Sequence, residues 1–178
     1  MNKNVSCNVK KAFAIILGGL LMEIVCFFFA FFDFRNYANS PIFNIDLVYY
    51  VAKAFMIFAF VFFGFGLFVI AKSVILYPRK MIEFKDEFFI DRSSYISGGK
   101  IKYSDIEDVY IRGGFLCIRL KNEEEFLKKH NPLKRLFMSA NKTLGYEYIT
   151  ITDVLLNSNL YEIEKTIKKY SIISNQAI

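Results

Sequence analysis

Tryptophan is absent from this 178-residue chain, histidine occurs once, and proline and cysteine occur three times each. A single histidine, His130, removes His-based catalytic triads and most metal sites together. Cys7, Cys26 and Cys117 stand at no metal-ligand spacing and are too few for a stapled scaffold, so no disulfide is expected. The residues present in excess are apolar: 54% of the chain is hydrophobic and 18% aromatic. Fifteen of the 21 phenylalanines precede residue 78, and that concentration excludes a disordered tail and a uniform soluble globule.

Two runs account for the concentration. Ala12 to Phe32 is 21 residues long, and its one acidic or basic side chain is Glu23. At about 1.5 Å per residue it covers the roughly 30 Å hydrocarbon core of a bilayer. Ala54 to Ala71 carries no charge over 18 residues and is bracketed by Lys53 and Lys72. It spans if those lysines snorkel, or if the helix starts near Asp46 and runs to Tyr77. The spacing predicts spans over about 12–32 and 54–76, within a hairpin of residues 1–77 followed by a second part, 78–178. A cleavable leader is the competing reading of the first run. Its apolar stretch is too long for one, and the small-x-small site Ala38-Asn39-Ser40 is followed by Pro41.

Lysine and arginine set the expected orientation. Lys3, Lys10 and Lys11 precede the first span, and Lys72, Arg79, Lys80 and Lys85 follow the second. Between the spans, Arg35 and Lys53 are balanced by Asp33 and Asp46. The positive-inside rule then places both termini in the cytoplasm of a multi-pass protein of the cell membrane.

Glu23 is the one carboxylate expected at bilayer depth, where such a group is a functional-site hypothesis by default. Three readings stay open: a neutral group bonded to a backbone carbonyl, a contact to an oligomer partner or another membrane protein, and a proton or ion pathway. Counting along the second helix places Phe63 at its depth, among Phe62, Gly64 and Phe65, so the hairpin offers the carboxylate no evident partner of its own. Small residues, Ala14 and Gly18 on the first helix and Ala59, Gly64 and Gly66 on the second, suit close helix packing.

After Pro78 the pattern changes to short alternating runs. Candidate strands are Lys80–Phe84, Glu87–Asp91, Lys100–Tyr103, Glu107–Arg112, Phe115–Leu120 and Glu147–Thr152. Lys85-Asp86, Ser97-Gly98-Gly99 and Gly113-Gly114 read as turns; the glycine pairs lack phosphate-loop spacing. Residues 122–144 read as helix broken at Pro132, acidic at Glu123, Glu124 and Glu125, then basic at Lys128, Lys129, Lys134, Arg135 and Lys142. Leu133, Leu136 and Phe137 share a helical stripe beside those cations. The basic residues are therefore candidates for an anionic lipid or an acidic partner; the alternative is a docked helix with a solvated outer face. A C-terminal helix capped by Ser158 or Asn159 carries the apolar stripe Leu160, Ile163, Ile167 and Tyr170.

The segments Phe89-Ile90-Asp91-Arg92-Ser93-Ser94, Ser97-Gly98-Gly99-Lys100-Ile101 and Tyr103-Ser104-Asp105-Ile106 carry a resemblance. So do Leu120-Lys121-Asn122-Glu123-Glu124, Lys134-Arg135-Leu136, Asn141 with Gly145, and Leu156-Asn157-Ser158. Together they resemble an uncharacterised family of small bacterial membrane proteins. Tyr103 stands where that family usually has Trp. The resemblance implies an α+β chain: a two-helix transmembrane hairpin, then a cytoplasmic PH-like bent antiparallel sheet of six to seven strands, with an inserted helical segment and a C-terminal helix. It supplies no catalytic residues.

The expected function is a membrane-anchored, non-enzymatic binding module, in its specific form an immunity protein against a membrane-active toxin. The alternative is a ligand-gated oligomeric effector that disrupts membranes. Membrane lipids, and a protein partner or a second copy of the chain, are the expected partners; no cofactor, metal or catalytic residue is assigned. Nucleic acid is not expected, because the net charge of +6 divides evenly: six basic less three acidic residues before Pro78, seventeen less fourteen after it.

Overall fold

The computed structural model describes residues 3–33 and 46–176. Arg35, the Ala38-Asn39-Ser40 site and most of the segment between the spans lie outside the described residues. The chain divides into two compact units, Ala12–Lys72 and the combination of Met1–Lys11 with Ser73–Ile178. Its class is α+β: two long apolar helices, then two antiparallel sheets and a C-terminal helix.

The helices are α1 (Val9–Phe31) and α2 (Asp46–Leu76). Both are long and apolar enough to cross a membrane. α2 takes the longer of its two options, starting at Asp46, and its 31 residues reach about 46 Å. Phe13, Ile24, Phe58 and Phe68 are each about two-thirds exposed, a surface that water disfavours and hydrocarbon accommodates. The buried face of α1 is Ala12, Glu23, Cys26 and Ala30, at helical spacing, and that of α2 includes Tyr49 and Ala59. Phe60 meets Phe27 and Phe31 with ring centroids 5.9 and 6.1 Å apart. Near the helix ends the Tyr49 hydroxyl donates to Asp33 and accepts from Lys53, both at 3.2 Å.

The small residues divide between packed and exposed positions. Gly18 and Ala14 are exposed, and a side chain added at Gly18 would meet nothing. The close approach occurs one residue on: a methyl at Gly19 would run into the Leu67 side chain. On the second helix Ala59 is buried and Gly64 lies against Glu23.

Residues 1–77 group by hydropathy, yet residues 3–11 group with the sheets. β1 (Lys3–Val5), a strand that alternation does not announce, pairs antiparallel with β2 (Ile82–Phe84), Val5 opposite Ile82. Beyond it the Cys7 N–H donates to the Pro78 carbonyl at 2.8 Å, and the Asn8 N–H to the Leu155 carbonyl at 2.8 Å. The segments flanking the two long helices are thus tied side by side.

β3 (Phe88–Asp91) and β4 (Gly99–Lys102) complete a sheet in the order β1-β2-β3-β4. β5 (Ile106–Arg112), β6 (Phe115–Leu120) and β7 (Ile149–Ile151) form the second sheet in sequence order. The β5–β6 register, Val109 opposite Ile118 and Ile111 opposite Leu116, is set by the two-residue turn Gly113-Gly114. Both glycines have positive φ, 56° and 79°, as a primed hairpin turn requires.

The C-terminal helix α5 (Leu160–Gln176) starts where Asn159 Oδ1 accepts from the Glu162 N–H at 2.9 Å. It packs on β5, β6 and the 3-10 turn Tyr103–Asp105, burying Leu160, Ile163 and Ile167. An aromatic series, Phe84, Phe89, Tyr103 and Tyr170, joins helix to core, Tyr103 and Tyr170 stacked at 5.2 Å. The inserted segment is α3 (Glu123–Lys128) and α4 (Pro132–Thr143).

Candidate functional site

The outer face of the second sheet is polar. Tyr110 pairs with Cys117, and Cys117 with Thr150, so these side chains and Arg119, two residues on from Cys117, share that face. β7 is preceded by Glu147, a carboxylate only 2% exposed. Its Oε1 accepts from the Tyr110 hydroxyl at 2.7 Å and from Arg119 Nε at 2.9 Å, and its Oε2 from Lys142 Nζ of α4. Lys142 also reaches both oxygens of Glu123 on α3, at 3.0 and 3.1 Å. Burial works to raise the Glu147 pKa, and the hydrogen bonds from Lys142, Tyr110 and Arg119 outweigh it, leaving the carboxyl at about 2. Burial lowers the Lys142 pKa, and its bonds to Glu147 and Glu123 more than restore it.

Beside this network lies an open groove of about 580 Å³, with Glu107, Glu123, Glu124 and Glu125 facing Arg119, Lys121, Lys128 and Lys142. Charges of both signs line it. That composition suits a polar or zwitterionic contact and provides neither an apolar slot nor a free nucleophile–base pair. Among the described residues no group of three or more His, Cys, Asp or Glu side chains could hold a metal ion.

A second polar seam lies between the β3–β4 loop and α4. Asp91, 1% exposed, accepts from the Ser93 N–H at 2.9 Å through Oδ1, while its Oδ2 has no partner. Burial raises the Asp91 pKa, countered by the bonds from Ser93 and Gly98 and by the nearby Lys134 charge. Lys134 is lowered by burial. The buried Oγ atoms of Ser93 and Ser94, His130 Nε2 and Arg135 Nε are likewise without partners. Tyr95 meets Phe137 edge-on with centroids 6.2 Å apart, closing the seam.

The five basic residues read as one surface are therefore distributed. Lys128 lines the groove, and Lys129 pairs with Glu125 at 2.9 Å in solvent. Lys134 and Arg135 are half-buried, Lys134 toward Asp91, and Lys142 is held by Glu147 and Glu123. Glu23 also finds its neighbour within its own hairpin. It is 9% exposed and lies over Gly64, where an added methyl would be 3.6 Å from Oε1, and that oxygen has no hydrogen-bond partner. The depth count reached Phe63, one residue short of this contact, and the hairpin supplies Glu23 Oε1 with packing and no hydrogen bond.

Asp91, Tyr110, Arg119 and Glu147 escaped sequence reasoning as site residues. Each is an ordinary polar position in an alternating strand or at its end, and only sheet register brings them to their partners. No family model matches the chain, and no curated protein or solved structure matches it either.

Proposed function

We propose that this chain is a membrane-anchored binding module without catalytic activity. In this reading α1 and α2 cross the cytoplasmic membrane as a hairpin with both termini in the cytoplasm, and the remainder is a PH-like domain that captures a protein partner at the inner leaflet. The observation that carries it is the pairing of β1 with β2: strands on either side of the two long helices share one sheet, so the pair leaves and returns to the same side. The lysines flanking the helices support the cytoplasmic assignment. A four-stranded and a three-stranded antiparallel sheet, with a C-terminal helix on β5 and β6, support the PH-like plan. The best-developed polar cluster, around Glu147, consists of groups that satisfy one another, which suits a structural role and leaves no reactive group poised.

The specific form is an immunity protein that binds a membrane-active toxin. The open groove beside α3 favours one other reading, a ligand-gated oligomeric effector with that groove as its sensor. Expression of the full chain, alone and together with secreted toxins from neighbouring genes, separates them. Harmless expression with rescue supports the binding module; growth arrest and dye leakage from expressing cells overturn it in favour of the effector.

A further inference from the structure

α4 is an inverted amphipathic helix. Its charged and amide side chains, Lys134, Arg135, Asn141 and Lys142, lie with the fully buried Met138 on the inward half. Asn141 Nδ2 donates to Thr150 Oγ1 at 3.2 Å, Lys142 is taken by Glu147 and Glu123, and Lys134 lies near Asp91. The leucines turn outward, away from the polar sheet face beneath, while Met138 and Phe137 stay packed. Leu133, Leu136 and Leu144 are 46, 65 and 72% exposed and, with exposed Ala140 between them, form one ridge at spacings of three and four residues.

We infer that this ridge docks into the interfacial region of the lipid bilayer. The outward half of α4 carries no charged side chain, only the hydroxyls of Ser139 and Thr143, so inserting it strips no ion of its water. The ridge runs about 16 Å along the helix and offers three leucines, well short of the roughly 800 Å² per partner of a stable protein interface. A second copy held by this face alone is therefore disfavoured. A bilayer contact needs less, because the domain is tethered: only residues 6–8 and 77–81 separate β1 and β2 from the two long helices. At such high effective concentration a modest apolar contact is occupied. The attraction is apolar rather than electrostatic, since the basic residues of α4 itself, Lys134, Arg135 and Lys142, are turned inward. The inference rests on the reading that α1 and α2 span the bilayer.

The natural lack of tryptophan supplies the test. Leu136→Trp places a single indole on the ridge, and Lys165→Trp places one on the exposed side of α5 as a water-facing control. Each full-length variant is reconstituted into phosphatidylcholine vesicles, with and without phosphatidylglycerol, and with ring-proximal brominated phosphatidylcholine. The expected result is a blue-shifted emission for Leu136→Trp, quenched by brominated lipid equally with and without the anionic lipid, against a red, unquenched control. Emission like that of the control overturns the inference, as does quenching that requires phosphatidylglycerol. A blue shift that vanishes on diluting protein in lipid, without bromine quenching, overturns it in favour of a second copy. Extraction of the wild-type chain from vesicles by alkaline carbonate overturns the spanning reading itself, which separates that failure from failure of the ridge.

Discussion

Replacing Glu147 by glutamine tests the reasoning about the polar face most directly. The native carboxyl falls from 4.5 to about 2 on folding. At 1.36 kcal/mol per pKa unit that difference is about 3 kcal/mol, reduced to about 2 kcal/mol by partial solvation of its partners. Lys142 and Arg119 are 38 and 43% exposed, which is why the reduction is modest. The carboxyl is depressed in the folded state, so its contribution is complete above about 4.5 and is lost as pH falls through about 2. In Glu147→Gln, two cations lose their shared counter-ion. The full chain in detergent micelles should then be about 2 kcal/mol less stable at pH 7, by hydrogen exchange at Ile149–Ile151, and lose this group's acid dependence below 4.5. A carboxyl carbon-13 titration of wild-type Glu147 gives the midpoint itself. A midpoint within the ordinary glutamate range, or identical acid profiles for wild type and variant, would refute the assignment of Lys142, Tyr110 and Arg119 as its stabilising partners.

Asp91 should behave with the opposite sign. Its folded pKa is raised, so its contribution is present below the ordinary aspartate value and lost as pH rises through the folded one; Asp91→Asn, which keeps an Oδ1 for the Ser93 N–H, should flatten that loss in thermal melts of the full chain. Gly19→Leu should open the hairpin against Leu67 and slow its migration in SDS gels, while Gly18→Leu leaves migration unchanged; equal effects would contradict the helix face assigned here. Cys7→Pro removes the N–H that bonds Pro78 and should cost about 1–3 kcal/mol, read as faster hydrogen exchange at Ile82–Phe84; unchanged protection would show that β1 contributes little to the sheet.

Most of the architecture was legible because it rests on periodicity. Continuous apolarity marked α1 and α2, period-two alternation marked β2 to β7, and the stripe Leu160, Ile163, Ile167 marked α5. β1 was not legible: three residues beside a basic flank carry no alternation, and their strand character comes from the edge that β2 offers. The candidate site was legible only as a list of charges. Lys128, Lys129, Lys134, Arg135 and Lys142 look alike in sequence, yet Lys142 is a buried carboxylate's partner and Lys129 a solvent ion pair.

The sequence by itself determined that two helices are apolar enough to span a membrane, that one of them carries Glu23, and that an antiparallel sheet part with a closing helix follows. These are properties of composition and spacing, which local physics translates directly into helix, strand and burial. Only the tertiary structure decided that the chain's first strand belongs to the sheet beyond both long helices, that Gly19 rather than Gly18 meets Leu67, and that α4 turns its charges inward and its leucines out. The reason is common to all three. An amphipathic pattern says that a helix or strand has two faces, but which face turns inward depends on the chemistry of the surface opposite. For β1 that surface is the edge of β2, for Gly19 it is Leu67, and for α4 it is the polar side of β5, β6 and β7, assembled by register from residues far apart in the chain.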